Sequence, residues 1–209
     1  MPFDLWLAFA AASTALLIIP GPTLLLVLSY AMTQGRRVAV ASALGVAMGD
    51  LIAMTCSVIG LGALFLASAT AFTVLKWVGA AYLFYLGIKM LRSPSAGKTV
   101  LMDKPADEPP MKVFRDLATV TALNPKSNTF FIAFVPQFIQ PEAAFAPQAS
   151  ILIATFVGIA GINALVFALG ANAMRRQITR PTVQMWLTRA GGVALLAMAA
   201  MTASLRRSA

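Results

Sequence analysis

Six stretches of the chain are apolar almost without interruption, at 5–31, 38–66, 70–91, 115–139, 148–172 and 186–206, and polar residues collect between them. Runs such as 5–19 and 38–66 are too long and too apolar for buried helices of a soluble domain, because crossing about 30 Å of hydrocarbon takes roughly 20 apolar residues. The pattern predicts an all-α integral membrane protein with six transmembrane helices, here spans 1 to 6, in contact with membrane lipid. One connection is long. It holds Pro94, Pro105, Pro109 and Pro110 with lysines and acids between them, which marks a solvated linker. The expected organisation is therefore a first three-helix half at 1–92, a linker at 93–114 and a second three-helix half at 115–209.

Basic residues occupy alternate connections. Arg36 and Arg37 follow span 1, and Lys89, Arg92, Lys98, Lys104, Lys112 and Arg115 surround the linker. Arg175, Arg176, Arg180 and Arg189 separate spans 5 and 6, against only Lys76, Arg206 and Arg207 on the opposite side. The positive-inside rule makes the linker cytoplasmic and places both termini on the periplasmic side. Each half has an odd number of spans, so the second half enters the membrane in the opposite sense, the geometry of an inverted repeat. Val78-Gly79-Ala80 in span 3 can be laid on Ala190-Gly191-Gly192 in span 6, with Leu83 on Leu195.

Composition narrows the function. Only 11% of the 209 residues are charged, against about a quarter in soluble domains, so the net charge of +9 reads as topology signalling and not as a nucleic-acid surface. Histidine is absent and Cys56 is the only cysteine, which removes a disulfide, a CxxC pair, and zinc or haem ligation; no metal or cofactor is expected. An intramembrane protease needs an aspartate dyad, a serine with its base, or a zinc motif, so no enzyme is expected. Asp4 stands before span 1 with no basic residue, which points to a retained anchor and not a cleaved signal.

The candidate chemistry lies at mid-membrane. Span 1 is interrupted by Pro20-Gly21-Pro22, followed by Thr23, and span 4 by Asn124-Pro125-Lys126. Proline removes a backbone donor and clashes with the preceding turn, and hydrocarbon cannot satisfy the groups so freed. Paired breaks in the first span of each half point to a midplane substrate site. Asp50 is the only carboxylate deep in any span and needs a partner or a purpose. Lys126 is the expected partner, either in a structural ion pair or in a site where Asp50 exchanges a proton; the other deep groups, Cys56 and the tyrosines of span 3, ordinarily titrate well above neutrality. Ala41, Gly45, Gly49, Ala53 and Ser57 form one small-residue face on span 2, and Gly158, Gly161 and Asn163 a small, polar patch on span 5. Phe130, Phe131, Phe134 and Phe138 read as packing or an interface belt, and Pro136-Gln137 as a second kink.

These residues carry a resemblance. Ile19-Pro20-Gly21-Pro22, Gln34-Gly35-Arg36 and Ala43-Leu44-Gly45 to Gly49-Asp50 resemble the lysine exporter and homoserine/threonine resistance (LysE/RhtB) family. So do Trp77-Val78-Gly79-Ala80-Ala81-Tyr82-Leu83 with Leu86-Gly87, and Asn124-Pro125-Lys126 through Phe130-Phe131 to Pro136-Gln137-Phe138. The family often has glycine or a small polar residue where this chain has Thr23. The resemblance covers nearly the whole chain. It implies an exporter of the bacterial inner membrane acting on neutral or basic amino acids, homoserine or related lactones, driven by proton antiport. The expected partners are an amino-acid-like solute and the proton, with a homo-oligomer left open. The site would comprise Pro20, Gly21, Pro22, Thr23, Asp50, Asn124, Pro125 and Lys126, with Asp50 as the proton-coupling group. A metal-ion exporter or channel, and a membrane scaffold without transport, are the competing readings.

Overall fold

The computed structural model describes residues 1–204 except 20, 35, 68, 93–107, 141–142 and 179. Among the described residues the fold is all-helical: α1 (Phe3–Ile18), α2 (Pro22–Gln34), α3 (Arg36–Ala67), α4 (Ala69–Arg92), α5 (Pro110–Ala122), α6 (Pro125–Ala133), α7 (Phe145–Ile178) and α8 (Pro181–Ser204), with a 3-10 turn at Val135–Phe138. Within α3 the segment Val38–Gly60, and within α7 the segment Phe145–Ala171, are long and apolar enough to cross a membrane alone. The pair Phe3–Ile18 and Pro22–Ala31, bent by 61°, passes the same test only when taken together, as a broken span or a re-entrant loop. Expected span 4 is divided between α5, α6 and the 3-10 turn, while α4 and α8 occupy the places of spans 3 and 6.

The ends of these helices follow from the residues that stand there. Pro22 and Pro125 each open a helix at a position where the missing N–H is no loss. Asn124 caps α6, its Oδ1 accepting from the Lys126 backbone N–H at 3.0 Å. The last turn of α5 tightens as Asn124 N–H donates to the Thr121 carbonyl at 3.0 Å. Pro136 holds the 3-10 turn that was expected as a kink.

Glycines set the closest helix crossings. A Cβ on Gly45 would lie 2.6 Å from the Phe114 carbonyl oxygen, and one on Gly49 would lie 2.5 Å from that of Ala118. The small-residue face of α3 is therefore the seam against α5. Gly87 and Gly192 face each other where α4 crosses α8, and Gly79 meets Ala133 of α6. On α7 the expected small patch is looser: nothing lies within 4 Å of a Cβ on Gly158, and only Ala47 approaches one on Gly161, at 3.5 Å.

The phenylalanines form no interface belt. Phe9, Phe130, Phe131, Phe134, Phe138 and Phe156 are fully buried. Most of their rings contact edge-to-face or tilted, as with Phe131 on Phe156 at 4.8 Å and Phe9 on Phe138 at 5.2 Å between centroids. They join α1, α6, the 3-10 turn and α7. Trp6 Nε1 of α1 donates to Thr155 Oγ1 of α7 at 2.9 Å.

Candidate functional site

The two breaks meet. Together with the middle of α3 and α7 they line a partly open cavity of about 40 Å³, room for a few waters. Of the sequence-derived set, Gly21, Thr23, Asp50, Asn124 and Lys126 line it. Pro22 and Pro125 do not; they start the helices whose first turns face it. Pro20 lies outside the described residues.

Thr23 ties the breaks together. Its Oγ1 accepts from Asn124 Nδ2 at 3.2 Å, and Thr121 Oγ1 lies 3.5 Å away. Asp50 is 1% exposed, and its Oδ1, buried, has no hydrogen-bond partner. A buried acceptor is ordinarily satisfied, so this atom marks either a protonation site or a place where a ligand donates.

Lys126 lines the cavity with Asp50, but the two do not form the ion pair that was one of the expected arrangements. Among the described residues the one ion pair is Lys112 with Glu108, on the surface at the start of α5. The Lys126 ammonium instead donates to the Leu16 carbonyl at 3.1 Å and the Ile19 carbonyl at 3.0 Å, at the end of α1. The cause is local. Pro20 has no N–H for the Leu16 carbonyl four residues before it, and the carbonyl end of a helix dipole attracts cations. Asp50 and Lys126 thus share the cavity without forming an ion pair.

Thr121, Ser127 and Asn163 also line the cavity and were not in the expected set. Asn163 Nδ2 donates to the Leu17 carbonyl at 3.2 Å. Its signal in the sequence was a lone carboxamide within an apolar span; Thr121 and Ser127 have no such signal, since small hydroxyls are common in membrane helices.

The aromatic cluster and a polar contact lie to opposite sides. Phe9 precedes the cavity-lining part of α1, Phe156 precedes that of α7 and Phe130 follows that of α6, which puts all three beyond the cavity toward the N-terminal end of α1. In the other direction Tyr30 of α2 donates to Asp116 of α5, Oη to Oδ2, at 2.7 Å.

An all-helical membrane protein built around broken helices, with a buried carboxylate whose Oδ1 is unpartnered beside the cavity between them, has the form of a membrane translocator. The sequence model of the LysE type translocator family matches residues 14–205, and the chain belongs to that family, which makes it a transport protein and not an enzyme. It is 33% identical over 208 residues, the whole of both chains, to the homoserine/homoserine lactone efflux protein of Salmonella typhimurium. The protein of the same name from Salmonella typhi is also 33% identical over 208 residues and the whole of both chains. An uncharacterized membrane protein of Vibrio cholerae is 31% identical over 187 residues, 88% of each chain. No solved structure matches.

Proposed function

We propose that the protein exports amino-acid-like solutes, homoserine, threonine, homoserine lactone or similar, across the bacterial inner membrane by proton antiport. The observation that carries this reading is Asp50: a buried carboxylate with an unpartnered oxygen, facing a cavity where two helix breaks meet. The printed names of the relatives support the solute class.

The architecture of the reading is six spans in two inverted halves, 1–92 and 115–209, joined by the cytoplasmic linker 93–114, with both termini periplasmic. Reciprocal packing supports it. α3 lies on α5 while α7 lies on α1 and α2, and α4 lies on α6 while α8 lies on α1. With each broken span taken as one element, exchanging the halves maps the first relation of each pair onto the second. The basic linker and the arginines between α7 and α8 support the orientation.

The halves rock about a site formed by Pro20, Gly21, Pro22, Thr23, Asp50, Asn124, Pro125 and Lys126. The solute carboxylate lies against the first turns of α2 and α6, where N–H groups and the helix dipole favour anions. A proton on Asp50 and the solute's ammonium exclude each other, so export of one is coupled to entry of the other. The test is counterflow of labelled homoserine in liposomes holding the purified protein. Accumulation that responds to an imposed pH gradient is expected; absence of counterflow with homoserine, threonine and homoserine lactone alike overturns the reading.

A further inference from the structure

The end of α1 is capped from the other half of the molecule. Its last turn holds no basic residue of its own, and helix-terminal carbonyls lack helical partners. Lys126 of α6 serves Leu16 and Ile19, and Asn163 of α7 serves Leu17. These carbonyls form a cradle for an ammonium group, at the negative end of a helix dipole and beside a cavity with room for a few waters. Within the same cavity Asp50 Oδ1, buried, accepts from nothing.

We propose that the carbonyl end of α1 is the subsite for the primary ammonium of the exported solute, and that Lys126 is a tethered ammonium that fills it between transport events and crosses to Asp50 when the solute arrives. The proposal rests on the exporter reading. Charge balance favours it. With a proton on Asp50 and Lys126 in the cradle, the cavity holds one positive charge. With the solute's ammonium in the cradle, Lys126 against Asp50 and the proton released, the ammonium's charge replaces the proton's. The net charge beside α1 is then unchanged, the solute's own carboxylate set aside, and the charges added to the membrane interior come as opposite neighbours that offset one another's cost.

The stem of lysine is flexible and its head compact, which suits a group that moves. Gly21 leaves room beside the head, because Nζ lies 3.5 Å from where a Cβ of Gly21 would stand. Of the cavity-lining residues only Asp50, from α3, and Lys126, from α6, are ionisable; α1, α2, α5 and α7 contribute none. The nearest titratable groups of α2 and α5 are Tyr30 and Asp116, hydrogen-bonded to each other.

Ethylammonium, which has the amine and no carboxylate, separates this role from that of a carboxylate ligand. Its binding to the purified full chain is measured by displacement of labelled homoserine. A site occupied by its own tethered cation nine-tenths of the time binds a competitor about tenfold more weakly. Lys126→Met should therefore bind ethylammonium about tenfold more tightly than the parent, and Lys126→Arg, which keeps a tethered cation, no more tightly. Equal or weaker binding to Lys126→Met overturns the proposal. If Lys126→Met does not fold in sodium buffer, recovery of folded protein when ethylammonium is present from extraction onward supports the subsite, and equal failure in both buffers overturns it. Counterflow by the parent is read alongside. Its absence defeats the exporter reading itself, whereas its presence without ethylammonium discrimination defeats only the subsite.

Discussion

At the scale of single residues, Asp50 and Lys126 invert a simple expectation. Two opposite charges alone in an apolar interior suggest an ion pair, yet each faces different groups: Lys126 the Leu16 and Ile19 carbonyls at the end of α1, Asp50 the cavity. A buried pair that is broken by removing one partner costs roughly 3–5 kcal/mol. Since no such pair exists here, Asp50→Asn is expected to keep the melting temperature of the detergent-solubilised protein. The same variant should export homoserine at a rate indifferent to an imposed pH gradient at zero membrane potential; a full response in Asp50→Asn shows that the proton travels elsewhere. A marked loss of stability restored by adding Lys126→Met is the opposite result and would establish a structural bridge. Gly21→Val sets a branched side chain against the Lys126 ammonium, and export is expected to fall about tenfold, roughly 1.4 kcal/mol of barrier.

At the scale of helices, the seams separate glycines that are needed for contact from glycines that are not. A methyl on Gly49 collides with the Ala118 backbone, which cannot withdraw as a side chain can, so Gly49→Ala is expected to destabilise by about 1–3 kcal/mol. Gly60 and Gly158 face open space, and alanine there should stabilise by about 0.5–1 kcal/mol through lower backbone entropy in the unfolded chain. Thermal unfolding of the three variants in one detergent checks both signs. The spacing of small residues in span 2 was legible as a packing face, either for the broken spans or for generic helix packing, and the fold sets it against α5 of broken span 4. Gly158 and Gly161 looked alike in the sequence and differ in the fold, because a small residue permits close approach without requiring it.

At the scale of the whole molecule, the two sides of the cavity are packed differently. Six buried phenylalanines stand on one side, whereas on the other the smaller Val27, Leu28, Val113 and Leu117 are buried and Tyr30 of α2 donates to Asp116 of α5. In the proposed orientation that second side faces the cytoplasm. Tyr30→Phe removes the hydrogen bond and should favour opening there. In a Cys56→Ser background, Val46→Cys should then react several times faster with a membrane-impermeant maleimide in inside-out vesicles, and no faster in right-side-out ones. Faster labelling from the periplasmic side only would reverse the orientation.

The sequence by itself determined the class of the molecule and the places where its helices break. Long apolar runs leave the bilayer as the only fitting solvent, and proline acts on its own backbone and on the preceding turn wherever it stands, so Pro22 and Pro125 open helices as expected. Asp50 was legible for the same reason, since a carboxylate in an apolar span is anomalous without any knowledge of its neighbours. The tertiary structure alone decided what those groups meet: that Lys126 caps α1, that Thr23 bridges to Asn124, that Asn163 joins the cavity, and that the phenylalanines are core. Propensity and hydrophobicity act along the chain and can be read from it, whereas hydrogen-bond partners more than 100 residues apart depend on how helices rotate and cross, which no local signal encodes.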